Sequence, residues 1–305
     1  VRPAAVFGGS CEAAFGAGSL EGVTSAEVGG PSWISAENIA FESARGLLCI
    51  TPGGKGTFVD FAIIPASAVD AVTERLECKS GGLEWGPKLA CFVETEVNGI
   101  RLSGVVAFRK GTTADNTAKA RALVEGFEAA AASATPTSAP IAADGAWAFP
   151  TDCLALDALI DEKTLFVNPT IKPSHGRGGT DVFTPPAIVE LAGGYEEPVT
   201  TCSWHSSKDV TDKQKKAGAL NWFVVDVVGG GAWAIDGISA QPEMTEITIP
   251  GVDRAFINVE EGFTPYYSIY VADGPNYLET SGTGGDGTEL YPGITATIAA
   301  LDSVG

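Results

Sequence analysis

Two short segments hold most of the side chains that could bind or react. Lys172, His175 and Arg177 fall within Lys172-Pro173-Ser174-His175-Gly176-Arg177-Gly178-Gly179. Cationic and imidazole groups on a glycine-rich loop could hold a carboxylate or phosphate, with backbone amides assisting. Trp204 and His205 end the run Cys202-Ser203-Trp204-His205, ahead of Lys208 and Lys213-Gln214-Lys215-Lys216. There an indole could stack on a ligand ring beside an imidazole. Plainer readings stand next to both. A loop rich in glycine and proline is commonly a surface connection, a histidine beside tryptophan commonly packs, and a lysine run suits a hairpin tip. His175 and His205 are the only two histidines, so any imidazole base belongs to the second half of the chain.

No motif specifies a reaction. The sequence lacks Gly-x-Ser-x-Gly, His-Glu-x-x-His and the phosphate-binding Gly-x-x-x-x-Gly-Lys. Gly282-Thr283-Gly284-Gly285-Asp286-Gly287 matches Gly-x-Gly-x-x-Gly, but no helical pattern opens directly after it, so the dinucleotide reading lacks its context. Asp273, Glu279, Asp286 and Glu289 lie in a glycine-rich stretch without EF-hand spacing, read as a solvated hairpin loop. Paired carboxylates for glycoside hydrolysis are defined by a separation of about 5–10 Å in space. Sequence spacing does not reveal it. No catalytic residue, cofactor or metal is therefore assigned.

The elements that must position these segments show through a duplication. Ala5-Val6-Phe7-Gly8-Gly9-Ser10-Cys11 reappears as Trp147-Ala148-Phe149-Pro150-Thr151-Asp152-Cys153, and later landmarks keep their order. Cys11 maps to Cys153 at an offset of 142, and Cys49 to Cys202 at 153. The apolar run from Phe58 maps to the run from Trp222, and Leu89-Ala90-Cys91-Phe92-Val93 to Tyr266-Tyr267-Ser268-Ile269-Tyr270 at 177. Each half closes on a helical stripe, Leu123, Phe127 and Ala130 in one and Ile294, Ile298 and Leu301 in the other.

With 305 residues and 45% hydrophobic content, two domains can each bury a core. The first repeat is read as 1–133, a linker of alanine, serine, threonine and proline as 134–145, and the second repeat as 146–305. The second copy spans 49 positions between its cysteines against 38 in the first, which places an insertion around 163–200. That insertion includes the Lys172 loop. Short helices are expected at Cys11 and Cys153, capped by Ser10 and by Thr151 or Asp152. Strands are expected at 47–51, 58–64, 89–96 and 100–108, a tight turn at Asn98-Gly99, and a helix from Pro65 through Val69, Val72 and Leu76. The fold class is α+β: two tandem, duplicated domains, each a mainly antiparallel sheet with packed helices. Trp33, Trp85, Trp147, Trp222 and Trp233 are assigned to cores and interdomain contacts.

Six cysteines, no Cys-x-x-Cys and two histidines point to disulfides. Because Cys11 and Cys49 recur as Cys153 and Cys202, each pair closes within its own half. Cys78 is left with Cys91, whose counterparts at the 177 offset are Ala255 and Ser268. Such bridges persist in oxidising compartments, so the chain is read as exported. Its apolar stretches are of strand length, short of the roughly 18 residues of a membrane span.

Nineteen basic against 38 acidic residues disfavour nucleic acid, whose binding needs clustered lysine and arginine. The charge is uneven: residues 1–162 carry a net −9, 163–216 a net +1 and 217–305 a net −11. Solubility accounts for most of this acidity, with attraction of cations or a basic partner as the functional reading.

In its alanine-rich composition with few lysines, its single Met244, its helix starts at Cys11 and Cys153, its Cys202-Ser203-Trp204 strand and its Ala-Ser-Thr-Pro linker, the chain resembles the uncharacterised exported proteins and lipoproteins of high-GC Gram-positive bacteria. The resemblance implies a cell-envelope location and an anchor upstream of Val1, but no activity and no residue roles. The anchoring cysteine of a lipoprotein is absent from the sequence. The expectation is a non-catalytic extracytoplasmic binding or scaffold protein of the cell envelope, with an envelope protein or a small ligand as partner. The alternatives are an extracellular hydrolase with an interdomain site using His205 or His175, and a passive structural spacer in an envelope assembly.

Overall fold

Alternating apolar residues build two antiparallel sheets, and the protein is α+β. The structure, a computed structural model, describes residues 2–16, 24–25, 36–50, 57–68, 74–79, 89–135, 144–147, 153–160, 171–174, 199–206, 222–260, 266–283 and 286–303. The first sheet holds β1 (Thr24–Ser25), β2 (Leu47–Ile50), β3 (Thr57–Pro65), β4 (Arg75–Lys79), β5 (Leu89–Val97) and β6 (Ile100–Phe108), in the order β1-β2-β3-β6-β5-β4. The second holds β7 (Ile171–Ser174), β8 (Val199–Ser206), β9 (Trp222–Val228), β10 (Thr245–Ile247), β11 (Arg254–Glu260), β12 (Tyr266–Asp273) and β13 (Asn276–Thr283). Taken from its β7 edge its order is β7-β8-β9-β13-β12-β11-β10, the first sheet repeated strand for strand with β10 added.

The duplication holds at the level of register. Cys49 stands opposite Phe61 and Cys202 opposite Val225, while Phe61 stands opposite Gly104 and Val225 opposite Thr280. Offsets of 153 and 164 satisfy these pairings. Beyond the hairpin the offset is 176, because the turns at Asn98 and Gly274 correspond. The expected 177 was one residue out, and in a strand one residue exchanges the two faces. Cys91 therefore corresponds to Tyr267, and Cys78, the cross-strand partner of Cys91, corresponds to Val259, the partner of Tyr267, at an offset of 181.

Helices cover the sheets. In the first half α1 (Cys11–Phe15) and α3 (Thr113–Ser133) lie on one face, where Phe15 packs between Phe61 and Phe127. Ser10 caps α1 by accepting from the Ala13 amide at 3.2 Å. Leu123 and Phe127 are buried as their spacing predicts, with Ala131 rather than Ala130 completing the stripe. The turn residue Asn98, at φ 53°, donates to the carbonyls of Ala131 and Ala134 at 3.2 and 2.8 Å, so the hairpin tip closes the end of α3. In the second half α4 (Cys153–Asp157) and α6 (Tyr291–Asp302) play the same parts, with Ile294, Ile298 and Leu301 in the core.

All six cysteines are bridged in the expected pairs: Cys11–Cys49, Cys78–Cys91 and Cys153–Cys202. Two of them tie the first helix of each half to the sheet, with Cα separations of 5.7 and 5.6 Å. Three disulfides are compatible with an extracytoplasmic location. Among the described residues no helix is long and apolar enough to cross a membrane.

One expected element needs correction. Pro65 ends β3 instead of starting a helix: among the described residues Ala66–Ala68 forms a short 3-10 turn, and Leu76 lies on β4, where exposure alternates residue by residue. Val69 and Val72 lie outside the described residues. A helix that apolar spacing did not single out, α2 (Ala36–Ser43), joins the halves. Ala36, Ile39 and Ala40 pack on the second sheet with Val228, Tyr277, Phe256 and the short α5 (Ile235–Ser239). Phe41 packs on the first sheet with Leu48, Ala62 and Ile64. Trp233 Nε1 donates to Ser43 Oγ at 3.0 Å, and Arg2, paired with Glu42 at 2.7 Å, lies over the Trp233 ring.

Candidate functional site

The sheet brings together two segments far apart in sequence. Lys172 on β7 stands opposite His205 on β8, and His205 opposite Trp222 on β9. β7 occupies the place of β1 in the first copy, so Lys172 sits on a shared strand and not, as expected, in an inserted loop. His175 and Arg177 lie outside the described residues. Trp204 is withdrawn from any ligand: it is fully buried, tilts against Phe223 and donates from Nε1 to Asp157 Oδ1 at 2.7 Å. A buried indole needs a partner for its N–H, and the α4 carboxylate supplies it. Trp147 in the core and Trp233 at the junction meet the assignment made for them.

Beside this edge the second sheet carries a polar ladder. β9 turns Phe223, Val225 and Val227 into the core under α6, which leaves Val224, Asp226 and Val228 on the face toward α2. On that face Asp226 stands directly opposite Glu279 of β13, and Glu279 opposite Tyr270 of β12. Ser281 and Ser268 form the next cross-strand pair. Both carboxylates are half-buried. Directly opposed like charges are unfavourable, and Tyr277 offsets part of this by donating from Oη to Glu279 Oε2 at 3.2 Å.

The tyrosines respond to the same environment. Burial first, then the Glu279 charge, pushes the Tyr270 hydroxyl up to about 12. Tyr277, fully enclosed, is driven well above the ordinary tyrosine value by burial and then by Glu279. Both stay protonated across the physiological range, and both are packed in the core shared with α2. Residues directly opposite on antiparallel strands have Cβ atoms about 4.5–5.5 Å apart, so the two carboxylates can grip one hydroxyl-rich group together.

Sequence reasoning missed Asp226 and Tyr277 and misplaced Glu279. The stretch 273–289, expected as a solvated hairpin loop, contains the interior strand β13. The available signal was Asp226 itself, a carboxylate interrupting the apolar run Trp222–Val228. The Gly-x-Gly-x-x-Gly match also reads differently in three dimensions. A helix does follow, since a 3-10 turn at Thr288–Leu290 leads into α6. What disfavours a pyrophosphate there is charge: Asp286 Oδ1 already accepts from the Thr288 amide at 3.0 Å, and Glu289 stands beside it. Hydrogen bonds from Thr288 hold the Asp286 carboxyl below its usual range. Among the described residues, no group of three His, Cys, Asp or Glu side chains is placed to hold a metal ion. No protein family, curated protein or solved structure matches the chain.

Proposed function

We propose that the protein is an exported, non-catalytic binding or scaffold protein of the cell envelope, with its ligand surface on the α2-facing side of the second sheet. The observation that supports this reading is the Asp226–Glu279–Tyr270 ladder, with the serine pair Ser268 and Ser281 beside it. The half-buried carboxylates of Asp226 and Glu279 and the partly exposed hydroxyls of Ser268 and Ser281, fixed on rigid strands, match the hydrogen-bonding pattern of a hydroxyl-rich envelope glycan. The Cys153–Cys202 bridge and the shared helix α2 brace the sheet that carries the ladder, which lowers the ordering cost of binding. The test is a pull-down of the oxidised protein from envelope material, with sugar and peptide analysis of what is retained. Retained glycan, lost in Asp226→Asn and Glu279→Gln, is the expected result. Recovery of nothing counts against the binding reading.

A second reading, an extracellular hydrolase, is favoured by one feature. Asp226 and Glu279 stand directly opposite on neighbouring strands, and a retaining glycosidase works with a pair of carboxyl groups about 5 Å apart. Release of reducing sugar from envelope glycan, abolished by either amide substitution, would move the assignment to this reading.

A further inference from the structure

We propose that Cys78–Cys91 is a thiol-exchange site, opened selectively by an extracytoplasmic dithiol while the other two bridges remain closed. Three independent features separate it from them. It joins residues directly opposite each other on neighbouring antiparallel strands, whereas Cys11–Cys49 and Cys153–Cys202 each join a helix to a sheet. Its Cα atoms are 3.9 Å apart, short of the roughly 4.4–6.8 Å usual for a disulfide. Second, Cys78 is on the terminal strand β4 and is partly exposed, while the residues of the other two bridges are at most 3% exposed. Exchange needs access to the attacked sulfur. Third, the bridge spans only 13 positions, against 38 and 49 for the others, so in the chain-entropy model it is coupled least to folding.

The duplicate supplies a control within the molecule. At the equivalent cross-strand position the second sheet has Val259 and Tyr267, and β11 pairs with β12 there without a bridge. The bridge is therefore not needed to pair these two strands. The exchange proceeds with a dithiol as reductant. Its thiolate attacks Cys78 Sγ, the S–S bond breaks, and Cys91 Sγ leaves with the electron pair and takes a proton. The second thiol of the reductant then resolves the mixed disulfide at Cys78. Two electrons and two protons pass to the protein, and the reductant departs as its own disulfide. Opening leaves the terminal strand β4 held to β5 by backbone pairing alone, so that another strand can compete for the row of donors and acceptors on the β5 edge.

The folded protein is exposed to graded dithiothreitol, quenched with iodoacetamide and mapped by peptide mass. Cys78 and Cys91 are expected to label at least tenfold faster than the other four cysteines, while far-UV circular dichroism stays unchanged. Labelling of all six together, or of Cys11 and Cys49 first, overturns the proposal. The Cys78→Ser/Cys91→Ser variant is expected to fold with both remaining bridges formed. Failure of that variant to fold overturns the proposal too, because the bridge would then be a structural staple. In the selectively reduced protein, loss of amide protection is expected to be confined to β4 and β5, and loss across the first sheet would likewise refute the assignment.

Discussion

Tyr277 and Tyr270 make the junction sensitive to alkali. A hydroxyl whose folded pKa exceeds its unfolded value holds its proton more tightly when folded, so its contribution is whole below the unfolded pKa and is lost as pH rises past it. For Tyr270 that window runs from the ordinary 10.0 to about 12. Urea midpoints followed by circular dichroism should stay level up to pH 10 and then fall, and Tyr270→Phe should flatten the fall. Gly104 makes a second claim at this scale. A Cβ there would land on the Asp60 carbonyl oxygen and approach Phe61 Cα to 2.9 Å, in the middle of the β3–β6 pairing. Gly104→Ala should lower stability by about 1–3 kcal/mol through overpacking, read as a lower urea midpoint. Little of the candidate site was legible at this scale. Asp226 and Glu279 are 53 residues apart in sequence, and only the antiparallel register makes them opposite. Trp204 misled because the same indole that suits a ligand ring also suits a core, and the deciding partner, Asp157, sits on another element.

At the scale of elements, landmarks that carry local signals were legible. Strands with period-two patterning, the Asn98-Gly99 turn and the helix starts at Cys11 and Cys153 fall where the residues place them. What failed were elements decided by tertiary contact. Leu76 fits a helical face with Val69 and Val72, yet pairing with Val93 makes it part of a strand. Helix α2 has no single apolar stripe to reveal it, because both of its sides are covered by different sheets: Ile39 meets the second and Phe41 the first. Truncation on either side should be costly. Ile39→Ala should destabilise by about 2–5 kcal/mol and Phe41→Ala by about 3–5 kcal/mol, measured by urea denaturation of the oxidised protein. A loss under 1 kcal/mol for Ile39→Ala would mean that the helix is not held against the second sheet.

Across the whole molecule, duplication alone would predict two units that melt separately, since each sheet has its own core under its own closing helix. The shared helix changes that expectation. The second sheet covers its α2-facing residues Val228, Tyr277 and Phe256 partly with Ala36, Ile39 and Ala40, which belong to the first copy. Unfolding of the first half would strip that cover and expose apolar surface at about 25 cal/mol per Å². It would also break the Trp233 to Ser43 hydrogen bond and take Arg2 from the Trp233 ring. The second sheet would then remain folded only at a penalty, and the two cores should unfold together. Calorimetry of the oxidised protein should show one transition, with the calorimetric and van't Hoff enthalpies equal. Ile39→Ala and Phe41→Ala should move that one transition downward. A molecule of independent halves would show two transitions without any substitution, and Ile39→Ala would leave one of them in place. That pattern would also remove the rigid frame on which the ladder's fixed geometry depends.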